Sequence, residues 1–338
     1  MSGWGARVVF DTMGYGDETH TLGRSIYLLD LESGAVEPIA TAAGGDAAWT
    51  PRISGDYVAW VEWHYADNTV LRGALTWRIV AMDLRDRHSW TVASAVNTRL
   101  EGGAGVPPAL DVSGSQIAYA VESPTPDRPW GWTILVRTLP SNELVRRIET
   151  AEDLYALALS DGAVAYSEGL VDTQLSFKYK TRLMVSTVAQ PSPRRVAADA
   201  FELAMDGPRL AWVDDRAASQ GGIGLAQYPR IYSTLLGDPS PEPLSAPPDG
   251  VSVRSSSWPS AGDGLVAWSD NQDTPARGQP VGAHLVVWSA ATGRATQLEP
   301  TAGMILSAVG QGWLVWYDDR GLPDTYFAGL PIGLTGLR

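Results

Sequence analysis

The segments VVFDT at 8–12, VAWVE at 58–62, IAYAV at 117–121, VAYSE at 164–168, LAWVD at 210–214, VAWSD at 266–270 and LVWYD at 314–318 are versions of one strand phrase, recurring roughly every fifty residues. Each is rich in β-branched and aromatic residues and ends, in most copies, on a carboxylate. A period of this length built from short strands marks a repeating all-β architecture.

The fullest copy runs from Trp49 to Ser94. WTPRIS (49–54) reads as a first strand, Ser54-Gly55-Asp56 as a turn and YVAWVEW as a second strand. After a long connection come RIVAMDL (78–84), a tight RDR turn and HSWTVAS (88–94). Four antiparallel strands per unit make a propeller blade. The expected fold is therefore an all-β propeller of four-stranded antiparallel blades over 1–338, in units of roughly 5–41, 47–95, 107–150, 153–198, 201–246, 256–299 and 303–338. Seven blades is the first count. Six blades plus an extra hairpin is the alternative, because the first unit shows no evident first strand and the last ends in a short Gly-Leu-Pro-Ile-Gly-Leu tail.

The chain has 38 acidic and 25 basic residues, a formal net charge of −13 and no cysteine. Such a field repels nucleic acid and anionic membrane surfaces. Without cysteine there is neither a disulfide nor a thiolate metal site. No apolar run is long enough to span a bilayer, and no signal peptide is seen. The localisation expected is extracytoplasmic, as a mature domain, with the cytoplasm as the alternative.

Turns between first and second strands, and between third and fourth, are short. The connections 63–77, 123–131, 169–181, 215–229, 271–283 and 319–324 are long and open on the opposite end, where binding is expected. Features repeated in every unit are best explained by the blade; features found once are better candidates for function. The recurring carboxylates Asp11, Glu62, Glu168, Asp214, Asp270 and Asp318 are thus read as anchors that accept backbone N–H groups from the following loop. The competing reading is a calcium site drawn from Asp214, Asp215, Asp270, Asp273, Asp318 and Asp319, which offer the hard oxygen ligands calcium prefers.

Trp60, Trp212, Trp268, Trp288 and Trp316 lie in the repeated strands and are assigned to the core. Loop aromatics break the symmetry: Trp63, Tyr65, Trp77, Trp130, Trp132, Phe177, Tyr179 and Tyr228. Half-exposed rings of this kind can stack on sugars or grip peptide side chains. Lys178 and Lys180, the chain's two lysines, form with Arg182 a local basic spot in SFKYKTR, suited to an anionic ligand or to guarding a strand edge. These rings and the two lysines are the candidate ligand-binding residues.

The chain carries no G-x-S-x-G elbow, H-E-x-x-H, P-loop or dinucleotide fingerprint. His20, His64 and His284 fall on the long-loop end and allow a three-histidine metal site only as a remote option. No catalytic residue and no cofactor is assigned, calcium being the weaker alternative.

The phrases ISGDYVAWVEW…IVAMDL, RLAWVDD…RIYSTLL, LVAWSDN…HLVVWSAATG and LVWYDDRGLPDTYF resemble the repeats of TolB-like β-propellers, over about residues 7–328. The W-S-P-D-G turn of the commonest form is missing, as are the S-x-D-x-G-x-T-W boxes of sialidases. The resemblance implies a bacterial scaffold domain, often extracytoplasmic and often one module of a longer polypeptide.

The expected function is a non-catalytic module that binds a protein, a peptide or a carbohydrate through its long-loop face and channel mouth. The alternative is a carbohydrate- or lactone-active hydrolase or lyase with carboxylates, with or without a metal, at the channel mouth.

Overall fold

The computed structural model describes residues 1–12, 25–41, 46–67, 72–97, 109–127, 131–150, 152–172, 178–214, 230–238, 240–245, 253–273, 280–298, 306–318 and 326–332. The chain is an all-β propeller built of antiparallel sheets. It divides into two compact units, one of Met1–Glu122 with Ile134–Arg147, the other of Ser123–Thr133 with Ile148–Arg338.

The first sheet holds β1 (Ser2–Trp4), β2 (Arg7–Thr12), β3 (Ser25–Asp30) and β4 (Val36–Ala40). The second holds β5 (Asp46–Ser54), β6 (Tyr57–Asp67), β7 (Arg72–Asp83) and β8 (Ser89–Asn97), and the third β9 (Leu110–Ser113), β10 (Gln116–Glu122), β11 (Trp132–Thr138) and β12 (Leu144–Glu149). The fourth comprises β13 (Asp153–Ser160), β14 (Ala163–Asp172), β15 (Lys178–Ser186) and β16 (Arg194–Ala198). The fifth comprises β17 (Ala200–Asp206), β18 (Arg209–Asp214), β19 (Arg230–Leu235) and β20 (Glu242–Pro243). The sixth is β21 (Val253–Gly262), β22 (Leu265–Asp273), β23 (Pro280–Ser289) and β24 (Arg294–Gln297). The seventh sheet has three strands, β25 (Leu306–Gly310), β26 (Trp313–Asp318) and β27 (Tyr326–Pro331).

Six complete four-stranded blades are thus described, the count of the alternative, and β25–β27 stands where that alternative places a hairpin. The first unit does have a first strand: Ser2, Gly3 and Trp4 pair with Val9, Val8 and Arg7. Three residues with a glycine among them give almost no alternation to read, which is why the sequence pattern missed them.

Each sheet turns tightly between its first two strands. Gly55 closes the β5–β6 turn at φ +61°, a left-handed conformation that glycine adopts without strain. Alternation then sends successive side chains to opposite faces. Trp60 packs with Val9, Ile26 and Leu28 of the first sheet, whereas its neighbours Ala59 and Val61 join a cluster with Val112, Ile117 and Tyr119 of the third. In the second unit, Trp212 packs with Ala165, Leu183 and Val185, and Trp268 with Ala211, Val213 and Ile231. In these three sheets the phrase aromatic faces the preceding sheet. Burying one such ring contributes roughly 2–3 kcal/mol of transfer free energy.

A bulge recurs in the first strand of four sheets, between Trp49 and Arg52, Leu154 and Ala156, Ala200 and Leu203, and Ser257 and Ser260. Several connections expected to be loops are strands instead. The β6–β7 ladder continues to the Asp67–Arg72 pair, β14–β15 to Asp172–Lys178 and β22–β23 to Asp273–Pro280. Pairing beyond the phrase satisfies backbone groups that a loop would leave to water.

Candidate active site

Strand extension changes the reading of the recurring carboxylates. All lie in paired strands, Glu62, Glu168 and Asp270 inside them and Asp214 and Asp318 at their last residue, so each has a residue paired directly opposite. Four of them face a basic residue on the third strand of their own sheet: Glu62 faces Arg78, Glu168 faces Arg182, Asp214 faces Arg230 and Asp270 faces His284. Opposite charges at directly paired positions stabilise a sheet. For Glu62 and Glu168 the partner is the guanidinium opposite, an ion pair in place of the loop amide expected.

The environment of this pair differs between sheets. Glu168 is 5% exposed; Arg182 Nε donates to its Oε1 at 2.9 Å, and Arg182 also reaches Glu152 at 3.1 Å. Burial, and then the Glu168 carboxylate, push the neighbouring Tyr166 hydroxyl well above the usual tyrosine range. Asp214 and Asp270 are likewise buried. Arg230 donates to the Ser245 carbonyl at 2.7 Å and lies 5.8 Å from the Tyr232 ring centre.

In the second sheet the same pair is open. The Glu62 side chain is 24% exposed and that of Arg78 is 58% exposed, with Arg78 Nε 2.5 Å from Glu62 Oε2. Trp60 Nε1 donates to the other carboxylate oxygen, Oε1, at 2.9 Å, so both oxygens of Glu62 are held. The pair borders a cavity of about 540 Å³. His64, two residues after Glu62, shares its strand face; Thr76 stands opposite His64, and Ser94 opposite Arg78. All five line the cavity, together with Ala40 and Thr41 at the end of β4 and with Trp63 and Trp77, whose rings turn to the other face of the sheet. One carboxylate, one guanidinium, one imidazole and three hydroxyl side chains thus border a space large enough for a small organic ligand. Histidine is the side chain best suited to exchange protons near neutral pH, and a guanidinium to stabilise developing negative charge.

Of the candidate ligand-binding residues, Trp63 and Trp77 border this place, beside Glu62 and His64, which the sequence suggested only as an anchor and as a metal ligand. Trp63 and Trp77 are directly opposite one another on β6 and β7, 8% and 9% exposed, with Trp63 edge-on to Trp49 at 4.9 Å. They are strand residues in the core cluster shared with the third sheet, not half-exposed loop rings. Tyr65 is paired with Leu75 in the same ladder. Trp132 is elsewhere and buried, its Nε1 donating to Asp153 at 3.2 Å, so its ring anchors β11 instead of standing half-exposed. Lys178, Tyr179 and Lys180 lie in β15, opposite Asp172, Val171 and Leu170. Trp130, Phe177 and Tyr228 lie outside the described residues, as do Asp215, Asp319 and His20.

The remaining acids of the calcium reading are distributed over three sheets, Asp214 on β18, Asp270 and Asp273 on β22 and Asp318 on β26. Among the described residues no three His, Asp or Glu side chains gather in a metal-holding group.

Glu62 and Arg78 escaped sequence reasoning because the symmetry rule assigns a repeated residue to the scaffold. The available signal was the conjunction of His64 with an unusually long aromatic segment around it.

No family model and no curated protein matches the chain. Solved structures do. The β-propeller domain of the trilobed protease from Pyrococcus furiosus is similar at 12% identity and a TM-score of 0.65, over 98% of this chain and 93% of that one. The acylaminoacyl peptidase of Pyrococcus horikoshii is similar at 13% identity and 0.63, over 96% of this chain and 49% of that one. An oligogalacturonate lyase in complex with manganese is similar at 12% identity and 0.50, over 83% and 74%. This chain spans about half the length of the acylaminoacyl peptidases it matches. At such identities the likeness shows the β-propeller fold alone. The expectation of a non-catalytic module is corrected on one point: it took the lack of recognisable motifs as evidence against catalysis, and solved structures sharing this architecture include those of peptidases and a lyase.

Proposed function

We propose that this protein is an enzyme of the hydrolase or lyase kind acting on a carbohydrate or a lactone, with the cavity on the second sheet as its active site. The observation that carries the reading is the meeting of Glu62, His64 and Arg78 at one cavity, whereas the carboxylate of the equivalent pair in the fourth sheet is buried. In this mechanism His64 takes a proton, from water when a lactone is opened or from the carbon beside a carbonyl when a chain is cleaved by elimination. Arg78 stabilises the negative charge that develops on the carbonyl oxygen. Glu62, fixed by Trp60, keeps the guanidinium aimed; a preset donor needs no reorganisation during the reaction. The reading requires no cofactor.

The test is turnover by the purified chain on a panel of sugar lactones, aryl glycosides and polyuronates. A general base contributes about 10²- to 10⁴-fold, so His64→Ala is expected to lose turnover by at least the lower figure. Silence across the panel, or full activity in His64→Ala, would falsify the reading.

A second reading is favoured by one observation, that the chain is 96% covered by a peptidase of which it spans 49%. In it, the protein is the propeller part of a longer peptidase and the cavity holds part of a peptide substrate. Turnover by the chain alone separates the two, since only the first expects it. The repeat phrases support kinship with TolB-like propellers, and with it an extracytoplasmic setting.

A further inference from the structure

We infer that the ligand of the second-sheet cavity carries a carboxylate, and that Arg78 receives it; the inference rests on the active-site reading above and names its substrate class. The repeats of this chain act as internal controls. In the fourth sheet the guanidinium of Arg182 is engaged twice inside the protein, through Nε by Glu168 and through a terminal nitrogen by Glu152. In the fifth, Arg230 donates from a terminal nitrogen to the Ser245 carbonyl. Arg78 is held through Nε by Glu62 in the same way as Arg182, but among the described residues Glu62 is its one partner.

Among the described residues no group engages the terminal nitrogens of Arg78, on a side chain that is 58% exposed and borders the cavity. A guanidinium edge presents two parallel N–H donors, a fork that matches the two oxygens of a carboxylate. Charge narrows the choice further. Glu62 already balances Arg78, and the chain carries a net charge of −13, so every negative charge on a ligand is opposed, and a singly charged carboxylate meets less of this repulsion than a doubly charged phosphate. Thr76 and Ser94 neighbour Arg78 on the same sheet face and line the cavity, and hydroxyl side chains suit the hydroxyls of a sugar ring. The substrate class that fits is a uronate or another sugar acid.

Calorimetric titration of the whole chain with glucuronate, glucose and inorganic phosphate tests the inference. Glucuronate is expected to bind at least about ten-fold more tightly than either of the others, and Arg78→Met to abolish the preference. Arg78→Lys keeps the charge but not the fork and is expected to lose most of it. Melting temperatures of both variants within a few degrees of the parent establish that the fold is intact. Equal binding of glucose or of phosphate, no binding of any of the three, or an undiminished preference in folded Arg78→Met overturns the inference. Binding and turnover fail independently. Hydrolysis of a neutral lactone without glucuronate preference would sink the carboxylate assignment and leave the active site standing; Arg78-dependent glucuronate binding without turnover of any substrate would do the reverse.

Discussion

The hydroxyl of Ser54, at the end of β5, accepts a hydrogen bond from the backbone amide of Gly114, sixty residues later in the next sheet, at 2.9 Å. The contact is repeated in kind. Ser160 accepts from Gly207 at 2.8 Å, Asp206 from Gly264 at 3.0 Å and Asp263 from Gly312. In each case the residue at or just past the end of one first strand holds the glycine turn of the following sheet. Ser54 is 2% exposed, so removing its oxygen leaves a polar group without its partner. Ser54→Ala is expected to lower unfolding free energy by about 1–2 kcal/mol, read from urea titration, with the slope of the transition unchanged. An unaltered midpoint would show that the latch contributes nothing.

Gly262 ends β21 where the chain leaves no room for a side chain. A Cβ there would lie 2.3 Å from the Val309 carbonyl oxygen and 2.7 Å from its carbon, both backbone atoms of β25. Backbone of a paired strand moves only with its sheet, so Gly262→Ala must separate the sixth and seventh sheets. The expected cost is roughly 1–3 kcal/mol, seen as a lower melting temperature. Gly34, with nothing within 4 Å of its Cβ position, is crowded by no neighbour, but its φ of +73° strains any replacement, so it controls for backbone conformation and not for space.

The repeat phrases carried the blade order because their aromatic and β-branched residues alternate strongly enough to mark a strand that is buried on both faces. Trp60, Tyr119, Trp212 and Trp268 are all at most 2% exposed, as the pattern requires. The edges were harder. Ser2–Trp4 has too few residues to show a period, and the extensions of β6 and β7 beyond Glu62 and Arg78 were read as a loop because their sequence mixes aromatic, polar and charged residues. The site was legible only in part. Trp63 and Trp77 announced an unusual second unit, yet what distinguishes Glu62 from Glu168 is exposure, and exposure is set by strand length and by the neighbouring sheet, not by residue type. Arg78 could be identified as the partner of Glu62 only once the register of β6 on β7 was known.

Asp83, at the end of β7, makes stability sensitive to acid. Its carboxyl is held down at about 2 from an ordinary 3.8, first by the Arg85 side chain, whose Nε and terminal nitrogen bond both oxygens, and then by the Arg85 backbone amide. A carboxyl whose folded value is depressed contributes stability that is complete above the unfolded value and vanishes as pH falls through the folded one. Wild type is therefore expected to exceed Asp83→Asn in denaturation midpoint above about pH 4, and the difference to shrink towards zero near pH 2. A gap that persists unchanged at pH 2 would assign the loss to packing and not to charge.

The open and the buried copies of one ion pair offer a direct comparison of scaffold with site. Glu168→Ala removes a carboxylate that is 5% exposed and deprives Arg182 of one of two acidic partners, for which about 2–4 kcal/mol of destabilisation is expected. Glu62→Ala removes a chemically identical carboxylate that is 24% exposed, beside an arginine 58% exposed, and solvent screening limits the loss of the ion pair to roughly 0.5–1 kcal/mol. The buried Trp60 Nε1 loses its acceptor as well, for about 1–3 kcal/mol more, a part that Glu62→Gln is expected to restore without restoring the ion pair. If the pair serves only the blade, both variants should lose turnover, if at all, in proportion to the stability lost. If Glu62 aims Arg78 at a substrate, Glu62→Ala should stay folded and lose catalytic efficiency by about ten-fold or more, while Glu168→Ala loses stability and retains per-molecule activity below its melting range. Thermal melts and kinetics on the same two preparations decide between these outcomes, because the two roles move the two readouts in opposite order.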